Sequence, residues 1–128
     1  MQVRIDVGAG ELTDKITILE IKADRIDDPA KLYNVRHELQ VLRQIRDEVV
    51  PTSDSLRALT NRLREVNERL WEIEDEIRQC ERERDFGATF VELARAVYRT
   101  NDRRAELKRT INTITGSTIV EEKSYAAY

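Results

Sequence analysis

Four glycines and two prolines are all that interrupt 128 residues, and Cys80 is the only cysteine. So few helix breakers leave room for long helices. A lone cysteine excludes an internal disulfide, and its place on an apolar stripe makes Cys80 a small buried hydrophobe. Aromatic residues are 5% of the chain, so a core here must be aliphatic. No apolar run approaches the ~20 residues of a membrane span. The N-terminus has neither the basic start nor the apolar stretch of a secretory signal, and the expected compartment is the cytoplasm. The formal charge of −3 lacks the basic field that nucleic-acid binding requires.

Charged residues, in contrast, make up 37% of the chain, and the apolar ones are periodic. Gln2 to Val7 alternate polar and apolar, which predicts a short extended segment before Gly8-Ala9-Gly10. A first helix is expected over about 11–26, with Leu12, Ile16, Leu19, Ala23 and Ile26 on one stripe and Ile18 and Ile21 on a second edge. Asp27-Asp28-Pro29 is a turn that also starts a second helix over about 30–49. Its stripe is Leu32, Val35, Leu39, Leu42, Ile45 and Val49, stopped by Pro51. Ser53 or Asp54 caps a third helix over about 54–84. A break at Asp85-Phe86-Gly87 returns the chain in a fourth over about 88–115, which Gly116 ends with a left-handed cap. The tail, 116–128, is expected to fold back beside the N-terminal segment because Ile119 and Val120 need cover. The predicted fold is one all-α domain, a four-helix bundle built on a long antiparallel coiled-coil hairpin with short extended terminal segments.

The third helix carries an unbroken seam, Leu56, Leu59, Leu63, Val66, Leu70, Ile73, Ile77 and Cys80. The fourth answers with Phe90, Leu93, Val97, Thr100, Arg104, Leu107, Ile111 and Ile114, a seam broken by a threonine and a guanidinium. In an antiparallel hairpin Arg104 falls level with Val66 and Asn67, and Thr100 with Leu70. A charge at such a position needs a partner, and Glu74 and Glu20 are the carboxylates in prospect. Three readings compete. The layer is a buried network that fixes helix register, a half-built anion site of Arg104, Arg99 and Lys108, or a snorkelling side chain.

From Ser53 to Asp85 there are ten acids against seven bases, and from Ala88 to Thr115 three against six. Glu68, Glu72 and Glu76 stack at spacings of four on one arm; Arg95, Arg99 and Arg103 do so on the other. Like charges so placed mildly destabilise a lone helix. The stripes are either an ordinary solvated face or the two halves of an antiparallel homodimer contact.

The commoner chemical signatures are weak or missing. Glu65, Glu68, Glu72 and Asp75 resemble the acidic motifs of all-α nucleotide pyrophosphohydrolases, but those enzymes draw their pairs from two helices and these four share one. His37 lies off the apolar stripe and has no Cys or His at ligand spacing, which makes it a surface residue. Gly8-Ala9-Gly10 precedes a helix but lacks the Lys-Ser/Thr of a phosphate loop. No metal or other cofactor is expected. Trp71 and Tyr98, one step outside the seam, are expected to pack the first two helices onto the hairpin, with a ligand wall or a dimer contact as the alternative.

Gly10-Glu11, Asp14-Lys15, Thr17 to Lys22, Trp71 with Ile73-Glu74-Asp75, Tyr98 to Asp102 with Arg104, and Glu121 to Tyr125 together resemble an uncharacterised bacterial family, a domain of unknown function. The resemblance spans nearly the whole chain. It implies a genomic neighbourhood of glycosyltransferase and surface-polysaccharide genes and no established activity. It also singles out the first helix, the polar layer and the tail. If these meet, Lys15, Lys22, Arg99, Arg104 and Lys123 would surround one cleft with Glu20, Glu74 and Asn101. Two functions are therefore in prospect: a non-enzymatic binding or adaptor protein that engages a protein partner or itself, and a small metal-independent helical enzyme acting on an anionic small molecule.

Overall fold

Four helices and no strands make up the computed structural model, which describes residues 1–128 and shows an all-α fold. In chain order they are α1 (Ala9–Arg25), α2 (Pro29–Val49), α3 (Asp54–Glu83) and α4 (Ala88–Thr115). Their ends follow local chemistry. Asp28 caps α2 by accepting the Ala30 N–H, with Pro29 in the first turn, where its missing donor costs nothing. The Ser53 hydroxyl accepts the Leu56 N–H at the start of α3. At its end Arg84 takes a left-handed conformation and returns its N–H to the Cys80 and Glu81 carbonyls. The Asp85 carboxylate then accepts the Gly87 N–H and turns the chain into α4. Gly116, at φ 67°, closes α4, while the Ser117 N–H bonds back to the Asn112 carbonyl.

The helix starts at Ala9, ahead of Glu11, because Gly10 lies inside α1 and does not form a loop before it. A Cβ on Gly10 would stand 2.3 Å from the Lys108 carbonyl oxygen, so the hydrogen side chain lets α1 and α4 touch backbone to backbone. The Gly10 N–H also donates to Asn112 Oδ1 at 2.8 Å. One of the first-turn donors that no helix can satisfy internally is thereby paired.

α1 is the shared element. It packs on α2, on α3 and on α4, whereas α2 packs on no other helix. Two cores result. Leu12, Ile16 and Leu19 meet Val35 and Leu39 between α1 and α2. On the other side, Leu56 and Leu63 meet Leu107 and Ile111 between α3 and α4, with Ala9 and Val50 against them. The second helix therefore lies outside the hairpin, a correction to the expectation that both short helices cover it.

Thirty residues of α3 span about 45 Å and the 17 of α1 about 25 Å, so the hairpin extends past its cover. Ile73, Cys80 and Leu93 remain buried along its length. Toward its turn, Phe86 and Val91 stand 53% and 51% exposed.

Candidate functional site

Gly10, Asp14, Thr17 and Ile21 recur at steps of four, three and four and are all buried, so α1 turns one continuous stripe toward the hairpin. That stripe sets a carboxylate in the protein interior. The Asp14 side chain is 1% exposed. Its Oδ1 accepts from Arg104 Nε and from Asn67 Nδ2, each at 2.9 Å, and its Oδ2 accepts from Arg104 Nη2. Thr17 completes the layer. Its hydroxyl accepts the Asn67 amide at 3.0 Å and donates to the Asp14 carbonyl at 2.8 Å.

Burial of a carboxylate is costly unless its lone pairs are met, and three donors from α3 and α4 meet these. No buried side-chain nitrogen or oxygen lacks a hydrogen-bond partner. The bond to Asp14 holds the Arg104 guanidinium above its ordinary range, against the opposing effect of burial. One turn on, Lys108 Nζ bonds Glu11 at 2.7 Å and Glu121 at 2.8 Å and lies 4.0 Å from Asp14. Burial alone would lower this lysine, but the bonds to Glu11 and Glu121 outweigh it and the ammonium is held above its ordinary range.

The tail lies along α4. Glu121 meets Lys108, Glu122 meets Arg109 at 2.8 Å, and the Tyr128 hydroxyl donates to Asp102 at 2.6 Å. Tyr98 does not pack a short helix onto the hairpin; its ring lies 5.1 Å from that of Tyr128. Trp71 is half-buried on α3. Beside the tail's start, a Cβ on Gly8 would meet the Ile119 carbonyl oxygen at 2.6 Å, so the two terminal segments adjoin there.

Of the eight residues singled out from the sequence, Arg104 alone enters the buried layer. Its partner is Asp14 and neither of the carboxylates in prospect. Glu74 is exposed and accepts from Arg78, one turn along its own helix. Glu20 meets Arg64 of α3 at 3.1 Å and Arg43 of α2 at 3.3 Å, outside the buried layer. Lys15 is exposed and 4.0 Å from Glu11. Lys22 is half-buried near the end of α1, where its carbonyl accepts the Ile26 N–H. Arg99 faces Glu92 at 3.8 Å, Asn101 is half-buried, and Lys123 lies 4.0 Å from Asp102 and 5.6 Å above the Tyr125 ring. Asp14, Thr17, Glu11 and Glu121 are the members that sequence reasoning left out of the site. A polar stripe at steps of four and three beside the apolar one on α1 was the available signal.

Two surface clefts lie outside the layer. One runs along α2 between Arg36 and Glu48, and the other is bounded by Tyr98 and Asp102 of α4 and by the tail. No helix is long and apolar enough to cross a membrane. A family model described as a family of unknown function, DUF6165, matches residues 1–128. The chain belongs to this family. No curated protein and no solved structure matches it. In this DUF6165 chain the buried polar layer and the exposed surfaces of the hairpin are the features that stand apart from ordinary helix packing.

Proposed function

We propose that this DUF6165 protein is a non-enzymatic binding or adaptor protein of the bacterial cytoplasm, acting in cell-surface polysaccharide assembly. Its α3–α4 hairpin serves as a coiled-coil arm. The observation that carries this reading is the internal use of the candidate cations: Arg104 is committed to Asp14, and Lys108 to Glu11 and Glu121. An anion at Arg104 would compete with the buried Asp14 carboxylate, which already takes Nε and Nη2 of the guanidinium, whereas a preformed anion site offers its donors unpaired. The arm supports the same reading. It reaches beyond α1 and ends in Phe86 and Phe90, packed edge to face at 5.3 Å, with Val91 exposed beside them. A bacterial polysaccharide setting is supported by the resemblance of the quoted motifs.

Thermal unfolding of the wild type and of Arg104→Leu, each with inorganic phosphate, a dicarboxylate and a nucleoside diphosphate, tests the layer. The expected outcome is a destabilised variant and no ligand-dependent rise in Tm in either protein. A rise in the wild type that disappears in the variant would favour the enzyme acting on an anionic molecule. A photo-crosslinking residue in place of Val91 tests the arm in cells. It should trap a discrete second polypeptide that the same residue in place of His37 does not, and equal trapping at both positions would count against the arm.

A further inference from the structure

The outer flank of the hairpin carries two charged rows whose levels match. Asn67 of α3 and Arg104 of α4 grip the same carboxylate, so they lie at one height. Glu72 and Glu76 stand five and nine residues beyond Asn67, and Arg99 and Arg95 five and nine before Arg104. In antiparallel helices Glu72 is therefore level with Arg99, and Glu76 with Arg95. At about 100° per residue these steps turn about 140° and 180° from the residues that face Asp14, which sets Glu76 and Arg95 opposite α1 and leaves Glu72 at the edge, where Arg25 at the end of α1 reaches it.

Within one chain the rows are only loosely neutralised. Arg69 lies 3.7 Å from Glu72 and 3.6 Å from Glu76, and Arg25 is 3.9 Å from Glu72. Arg95 and Arg99 share Glu92 at 3.5 and 3.8 Å. All four row side chains are about half exposed, and none of these contacts is as short as the 2.7–3.2 Å of a protein hydrogen bond. Stacked like charges at steps of four cost helix stability unless opposite charge comes from outside.

We infer that this face is a self-association surface for a second copy of the chain, with the twofold axis parallel to the hairpin. That operation keeps every residue at its height and exchanges the helices. Glu72 and Glu76 of one copy then face Arg99 and Arg95 of the other, and the pattern is repeated across the axis. A twofold perpendicular to the helices and lying in the interface would set α3 on α3, acid against acid, so charge selects one geometry. Exposed ion pairs contribute little each, which makes the dimer weak and sensitive to salt. This surface is separate from the apolar tip, and self-association does not depend on the adaptor reading.

Charge reversal in two halves tests it by sedimentation velocity on the full chain. The pair Glu72→Arg/Glu76→Arg makes both rows basic; Arg95→Glu/Arg99→Glu makes both acidic. The wild type should dimerise at about 50 mM salt, with affinity falling about tenfold or more by about 500 mM. Each reversed variant should be monomeric, and an equimolar mixture should recover the dimer. Circular dichroism of each variant guards against loss of folding. A wild type that stays monomeric at low salt, reversed variants that still dimerise alone, or helical variants whose mixture stays monomeric would each overturn the proposal.

Discussion

Arg104 of α4 reaches across 90 positions of sequence to hold both carboxylate oxygens of Asp14 on α1, and through Asn67 the same carboxylate engages α3. One buried charge thus fixes the relative height of three helices. An apolar layer would pack as well but would tolerate sliding, and a polar residue at a seam position sets register at some cost in stability.

Removal of either member should therefore be worse than removal of both. Arg104→Leu leaves Asp14 buried without its guanidinium, and the expected loss is about 3–5 kcal/mol in urea denaturation. Asp14→Leu strands a guanidinium that is 29% exposed, so the loss should be smaller. The double variant should recover much of the single losses, so that its loss falls well below their sum in the mutant cycle. Additive losses would mean that the pair contributes no specific energy.

Gly10→Ala tests the backbone contact between α1 and α4. Inside an exposed helix this change would stabilise by about 1 kcal/mol. Here the added methyl meets the Lys108 carbonyl oxygen, and the Gly10 to Asn112 hydrogen bond must lengthen to relieve it. A net loss of about 2 kcal/mol or more is expected, as for overpacking in a core. Gly116→Ala has open space around it and strains only a left-handed cap, so it should cost about 1 kcal/mol. A Gly10→Ala variant as stable as wild type in chemical denaturation would mean that α1 and α4 do not need this close approach.

An all-α fold was legible because four periodic apolar stripes are separated by breakers of known chemistry, Asp28-Pro29, Pro51 and the stretch from Asp85 to Gly87. Arg104 was legible for a related reason: a cation at a seam position violates the pattern around it. Its partner was not, because pairing across 90 positions depends on how α1 lies against the hairpin, and no local rule specifies that. Glu74 and Glu20 are the carboxylates that sequence position brings within prospect, yet each satisfies an arginine nearer to it. Gly10 misled in the same way. A glycine pair before a helix suggests a loop, whereas the close approach that requires Gly10 is visible only once α4 is in place.

The tail should detach with acid before the helices melt. The hydrogen bond from Lys108 holds Glu121 below the ordinary carboxylate range, and that from Arg109 does the same for Glu122. A lowered value in the docked state means that docking is favoured at neutral pH, where both carboxylates are charged whether the tail is bound or free. The advantage begins to fall as pH drops through the ordinary glutamate value of about 4.3, and it is gone once pH is below the lowered docked values. Tyr128 works in the opposite sense. Its bond to Asp102 raises the phenol, so its contribution is complete below the ordinary tyrosine value of about 10 and is lost as pH rises through the docked one. Residues 117–128, held by side-chain bonds, should therefore resist limited proteolysis at neutral pH and lose that protection on both sides, with an acid and an alkaline protease as probes, while circular dichroism still reports intact helices. Glu121→Gln with Glu122→Gln should lose that protection already at neutral pH. Protection that persists in this variant, or that ends only with global unfolding, would mean that apolar contacts and not these ion pairs hold the tail on α4.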